Sequence, residues 1–164
     1  MAVREFEESR EEIERILQEQ TVGFLGLSLD GQPYVVPLNY AYVSGKVLFH
    51  CALTGKKLDY LKANPRVCFT VGRQVGEVRR HPEGDPCHQD NDSVICHGRA
   101  RVIEDLEERR RALNDFNQCL RSGAGEISLE DASKCLVVEI AITEMTGRQE
   151  REKKRTYWRY RFHP

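Results

Sequence analysis

Apolar positions along the chain change their period several times, and each change predicts an element. Across residues 5–19, Phe6, Ile13, Ile16 and Leu17 form a sparse stripe among Glu and Arg residues, which predicts a helix. The run VGFLGLSL (22–29) reads as a strand and is stopped by Asp30-Gly31, a strong hairpin signal. A second strand-like segment, roughly 33–43, alternates and is rich in Val and Tyr; Ser44-Gly45 then marks a turn before KVLFHCA (46–52). Three strands joined by short turns predict an antiparallel meander.

The period returns to helical over Lys56–Ala63, where Leu58 and Leu61 share a face and Asn64-Pro65 ends the run. RVCFTV (66–71) reads as a further strand. Residues 72–92, with Gly76, Pro82, Gly84, Asp85 and Pro86, read as a long polar loop of the kind that is usually functional or mobile. SVICHGRARVI (93–103) is strand-like, and its interior Gly98 predicts a bulge or bend. Residues 105–121 predict a second amphipathic helix with Leu106, Leu113, Phe116 and Leu120 inward. Ser128 is placed to cap a short turn before the strand KCLVVEIAIT (134–143). The tail TYWRYRF (156–162) reads as a last strand or an arm. The sum is a mainly β chain: a β-barrel with flanking α-helices, about six or seven antiparallel strands, in a single domain over 1–164.

Composition narrows the setting. Apolar residues make up 40% and charged residues 31%, ordinary for a globular protein, and the formal net charge is −1, so nothing points to nucleic acid or an anionic membrane. No apolar run approaches the roughly 20 residues that span a bilayer. The charged start MAVREFEESREEIERIL has no secretory h-region, so a cytoplasmic setting is expected. The six cysteines, Cys51, Cys68, Cys87, Cys96, Cys119 and Cys135, form no CxxC pair and fall largely in apolar runs, which predicts reduced thiols.

The most informative stretch is TGKKLDYLKANP (54–65). A strand delivers a Gly-containing corner, and a helix opens on two lysines. A helix N-terminus presents free N–H groups and partial positive charge, so cations there are mildly unfavourable and anions favoured. Two readings fit Lys56 and Lys57: a phosphate clamp, or a pair of solvated surface lysines. Pro37 cannot donate to a ladder and predicts a strand edge or opening. His50 is a structural or a site histidine, able to hydrogen-bond a cofactor or donate a proton. His81, Cys87, His88, Cys96 and His97 crowd together, but adjacent ligands chelate one ion poorly and neighbours in a strand face opposite ways, so no metal is expected. Cys87 reads as an exposed surface cysteine or a reactive thiol. The basic tail with Trp158 reads as a strand or an arm over a partner.

The order GQPYVVPLNYAYVSGKVLFHCALTGKKLDYLKANPRVCFTV (31–71) resembles the FMN-binding split-barrel flavoproteins of the pyridoxamine 5′-phosphate oxidase superfamily, in the branch containing nitroimidazole-resistance proteins. SVICHGRARVIED (93–105) resembles that family's next long strand, and the resemblance runs over about 20–145. It implies FMN at the interface of a homodimer. Lys56 and Lys57 would hold the phosphate; His50, Cys51 and Ala52 would line the ribityl and phosphate path. Val36, Pro37, Leu38 and Asn39 would follow the isoalloxazine edge. Ser93 and Val94 would complete the pocket from the partner subunit, and Thr146, Gly147 and Arg148 would approach from the partner chain. The implied activity is flavin-dependent reduction of a small organic acceptor, such as a nitro or quinone compound. NAD(P)H would be at most a transient partner, since no Rossmann fingerprint occurs. The alternative is a non-catalytic flavin- or haem-binding sensor or carrier, with His50 as axial ligand. Oxidation of pyridoxamine phosphate is not expected, because the family's substrate-phosphate residues are not recognised in the tail.

Overall fold

Residues 5–79, 88–152 and 154–163 are described by a computed structural model. In chain order the elements are β1 (Glu7–Glu8), α1 (Arg10–Gln18), β2 (Val22–Leu29), β3 (Gln32–Asn39), β4 (Ala41–Val43), β5 (Lys46–Cys51), α2 (Lys56–Ala63), β6 (Arg66–Arg79), β7 (His88–Ile103), α3 (Leu106–Leu120), α4 (Leu129–Ser133), β8 (Leu136–Arg151) and β9 (Lys154–Arg161). Local chemistry sets the helix starts. Ser9, Asp105 and Ser128 each accept a backbone N–H of the first turn of α1, α3 and α4, and acidic residues follow them there.

The strands form one sheet in the order β1-β9-β8-β7-β6-β2-β3, with β5 added to β8 and β4 to β5. β8 changes neighbour along its length: Leu136–Ala141 pair with β5, and Glu144–Arg151 pair with β9, while β7 runs along its other side. The sheet curls into a barrel that does not close. Among the described residues, β3 pairs only with β2, and β5 pairs only with β4 and β8, so a split separates β3 from β5.

α1 and α2 cover the barrel interior. Ile13, Ile16 and Leu17 from α1 and Leu58 and Leu61 from α2 join Leu25, Tyr40, Val47, Phe49, Phe69, Cys96, Ile140 and Met145 in one buried cluster. Tyr40 donates its hydroxyl to the Leu17 carbonyl at 2.6 Å, which satisfies a buried polar group. A second cluster lies under α3 and α4, where Leu48, Ile103 and Val137 meet Leu113 and Phe116. Alternation along β5 therefore sends Val47 and Phe49 into the barrel and Leu48 toward α3.

The mainly β class with flanking helices agrees with the expectation, and several details correct it. The described residues form nine strands, and β1 joins β9 in parallel. The expected meander stops at β3, because β5 takes β8 as its neighbour. The first helix begins at Arg10; Glu7 and Glu8 are drawn into pairing by β9. Leu120 is 40% exposed rather than inward. The expected polar loop is largely strand, since β6 reaches Arg79 and β7 starts at His88; residues 80–87, with His81 and Cys87, lie outside the described residues. Gly98 sits at a register shift between β7 and β8, as its strand position predicts. A Cβ there would lie 2.4 Å from the Ala141 carbonyl oxygen, which leaves room for no other residue. The tail is strand β9, and Trp158 packs in the barrel cluster.

Candidate functional site

The split between β3 and β5 is walled by half-buried side chains on the edge of the barrel cluster: Tyr34, Val36 and Leu38 from β3 and Cys51 from the end of β5. Pro33 and Pro37 lie on β3, where an unpaired edge tolerates a residue with no N–H. The ladder groups on that edge have no partner among the described residues. An open edge offers backbone donors and acceptors to a planar, polar-rimmed ligand.

α2 starts at the end of the split. Its N-cap is Gly55 at φ 141°, ψ 162°, a region open to glycine, and no side chain caps the helix. The Gly55 carbonyl accepts from Leu58 and Asp59, so the amides of Lys56 and Lys57 lie ahead of the intrahelical ladder. The Lys56 ammonium lies 4.6 Å from the Tyr34 ring centroid and 5.6 Å from that of Tyr60, and these two rings are 5.2 Å apart. The Lys57 ammonium lies 5.1 Å from the ring of buried Phe49. Aromatic faces thus steady two cations at a helix N-terminus, with no carboxylate bonded to either among the described residues. The far end of α2 is pinned as well: Asn64 donates its side-chain amide to the Ser28 carbonyl at 3.0 Å.

The sequence-predicted residues fall into two groups. Val36, Leu38, Cys51, Lys56 and Lys57 gather around the split, with Pro37, Asn39 and Ala52 exposed beside it. Burial pushes the Cys51 thiol up, against the pull of Lys57 and with a smaller push from Cys135, so it stays protonated at neutral pH. His50 stands apart: its ring meets Phe116 of α3 edge-on at 5.2 Å, on the face of β5 opposite Phe49 and Cys51. The second group is on the long strands. Ser93 and Arg148 are ladder partners, and Arg148 donates to Asn91 Oδ1 at 2.9 Å and pairs with Glu150. Val94 does not suit a ligand contact: its side chain is fully buried in the barrel cluster, its backbone lies in the ladder between Val71 and Gly147, and its carbonyl accepts the Thr70 hydroxyl at 2.8 Å. Cys96 is buried, its thiol pushed up to about 12 by burial, while His97 is exposed on the other face.

Two residues were missed in the sequence. Tyr34 belongs to the same inward alternation as Val36 and Leu38, and Tyr60 lies four residues after Lys56 on α2. Those spacings carried the signal.

Similarity to known proteins follows the same geometry. The family model for pyridoxamine 5′-phosphate oxidase matches residues 9–149. A candidate 5-nitroimidazole antibiotic resistance protein from Bacteroides thetaiotaomicron VPI-5482 superposes with a TM-score of 0.73 and 28% identity, over 85% of this chain and 83% of that one. An FAD-binding protein from Mesorhizobium loti superposes with a TM-score of 0.65 and 28% identity, over 87% of this chain and 96% of that one. A flavocytochrome from Azotobacter vinelandii shares the fold at a TM-score of 0.74 and 18% identity, over 96% and 80% of the two chains. An uncharacterized protein of Rhizobium meliloti (strain 1021) is 31% identical over 50% of this chain, and the match spans 61% of that relative's length. With the family model covering most of the chain and the split barrel in place, the protein belongs to the pyridoxamine 5′-phosphate oxidase family.

Proposed function

We propose that the protein is an FMN-binding flavoprotein that reduces a small organic acceptor, such as a nitro or quinone compound, and works in the cytoplasm as a homodimer. The observation that carries this reading is the start of α2: two lysines and two amides ahead of the helical ladder, with no side-chain cap, at the end of an open split. A phosphate fits that donor set in charge and in hydrogen-bonding capacity.

In this reading Lys56 and Lys57 hold the phosphate, Cys51 and Ala52 line its approach, and the β3 edge from Val36 to Asn39 lies along the ring. His50 contributes its backbone to the wall, while its ring stays on the α3 side. Bound FMN supplies the redox chemistry, and the chain supplies position and electrostatics. NAD(P)H enters as a visiting reductant. The Mesorhizobium loti relative, an FAD-binding protein, supports a flavin.

The homodimer is supported by the outer face of the sheet. Val22, Phe24, Val35 and Ile95 are each more than 40% exposed, and Phe24, Thr70 and Ile95 are neighbours across the ladder. Such an apolar row seeks a partner. Ser93 and Arg148, on the central strands β7 and β8 and away from the split, suit a role in a neighbour's site.

The test is the visible spectrum of the purified protein, followed by acid release and mass measurement of the pigment. Released FMN is expected. A Soret band would favour the haem carrier, and a colourless protein that takes up no added flavin would refute the proposal. Replacing Lys56 and Lys57 by Ala is expected to weaken FMN binding by about 2–4 kcal/mol in total. Unchanged affinity would place the phosphate elsewhere. Light scattering checks the assembly, since a strict monomer that retains flavin would contradict the shared site.

A further inference from the structure

The outer face of the sheet carries a second concavity, distinct from the split. It is a groove of roughly 740 Å³ running from the β2–β3 hairpin across β6 to β7, in the size range of small-molecule sites. Gly26 gives it depth. Val35, Gly26, Cys68 and His97 are successive ladder partners, and the missing side chain at Gly26 leaves a hollow between Val35 and Cys68.

The charge of its lining is one-sided, and Glu144, the ladder partner of His97 just outside it, is paired with Arg161. Arg66 and Arg99 are direct ladder partners on this face, and His97 lines the groove beside them. No carboxylate lines it, in a chain with 26 acidic residues and a net charge of −1. Other arginines of the sheet are paired: Arg73 and Arg151 with Asp92, Arg101 with Glu108 and Glu139, Arg161 with Glu144. Neither Arg66 nor Arg99 has a carboxylate within ion-pair distance among the described residues. Like charges directly opposite each other on a sheet are destabilising, so this pair is a local cost without an anion between its forks. The base is held firmly: Asn64 accepts the Arg66 N–H at 3.1 Å and donates to Ser28.

We propose that this groove is a second anion site, separate from the α2 corner, that takes the phosphoryl group of a small phosphorylated molecule between Arg66 and Arg99. Two guanidinium forks match the charge and the oxygens of a phosphate dianion, and His97 adds a ring N–H. The organic part of the ligand rests on Pro33 and Val35. Val35 also belongs to the apolar row proposed for self-contact, so the groove opens along the margin of that contact. Substrate or reductant phosphate held here would approach a flavin site from outside the split.

The test is calorimetric titration of the purified, flavin-loaded protein with pyrophosphate and with ADP. One site per chain is expected, with at least tenfold weaker binding in Arg66→Ala or Arg99→Ala and no measurable binding in the double variant. Arg99→Lys keeps charge but loses the fork and should fall between. Flavin content should be unchanged in all of these variants, which also reports that they are folded. Lys56→Ala/Lys57→Ala should lose flavin and keep the anion site, which separates failure of the flavin reading from failure of this one. Absence of binding by the wild type, binding insensitive to both arginines, or loss of anion binding together with Lys56 and Lys57 would each overturn the proposal.

Discussion

The long antiparallel pair of β7 and β8 has two ends that are held by opposite means. At the barrel end, Val94, Cys96, Ile140, Ile142 and Met145 are buried among apolar neighbours. At the arm end, the buried residues are Asp90, Asp92 and Glu150. Asp92 has a fully covered side chain between Arg73 and Arg151, with guanidinium contacts of 2.8 Å to each, and Arg73 also reaches Glu19 at 2.6 Å. Asp90 accepts the Glu152 N–H at 2.9 Å, and Glu150 pairs with Arg148 and Arg155. One strand pair thus passes from a core that needs only shape to an arm that needs matched charge. The barrel end should lose stability mainly through cavities, and the arm through unpaired ions.

The largest effect is expected at the barrel end. Phe69 is fully buried and meets Tyr40 at a 4.8 Å centroid distance, so Phe69→Ala should cost about 3–5 kcal/mol in denaturant unfolding. A cost comparable with the arm variants would erase the contrast. Next, Asp92→Asn should cost about 2–3 kcal/mol, below the ~3–5 kcal/mol of a fully buried broken pair, because Arg73 and Arg151 keep 28% and 34% of their side-chain surface. Hydrogen exchange should show the loss around 72–79 and 88–92 rather than at 94–103.

The pH dependence is a smaller, directional test. Burial pushes the Asp92 carboxyl up, but hydrogen bonds from Arg151 and Arg73 outweigh it and hold the group below the usual carboxylate range. A depressed folded value means that the contribution is complete at neutral pH and is lost as pH falls below about 4 toward that folded value. Wild type and Asp92→Asn should therefore converge in stability on acidification; a constant gap would mean that charge is not the cause. The smallest expected effect is from salt. Raising ionic strength toward about 1 M should lower arm protection and leave the Phe69 region unaffected, since screening acts on part-exposed pairs and not on packing.

The same contrast explains what the sequence could reveal. Barrel strands 22–29, 46–51 and 93–103 were legible because one face is apolar. The arm was not: residues 72–79 and 88–92 bury acids and arginines, and paired charges look like loop until the partner strand is known. The corner at 54–65 was legible from Gly55, the two lysines and Asn64-Pro65, and the helix bounds matched. The face taken by His50 was missed, because alternation along β5 leaves open which side is the barrel until β8 and α3 are placed. Arg66 and Arg99 drew no attention either, since only the ladder makes them opposite.

The open edge of β3 has a last consequence, for how the protein keeps to itself. A strand eight residues long whose second edge is open among the described residues is a template on which another chain can add. Ladder residues that turn their N–H outward recur every second position, and Pro33 and Pro37 fit only there, because an inward position would forfeit a bond to β2. The outward set Pro33, Val35, Pro37 and Asn39 therefore presents two donors in place of four. A foreign strand finds acceptors without matching donors and cannot zip along the edge. The two prolines make the split a place where a small molecule can dock and a growing β-fibril cannot.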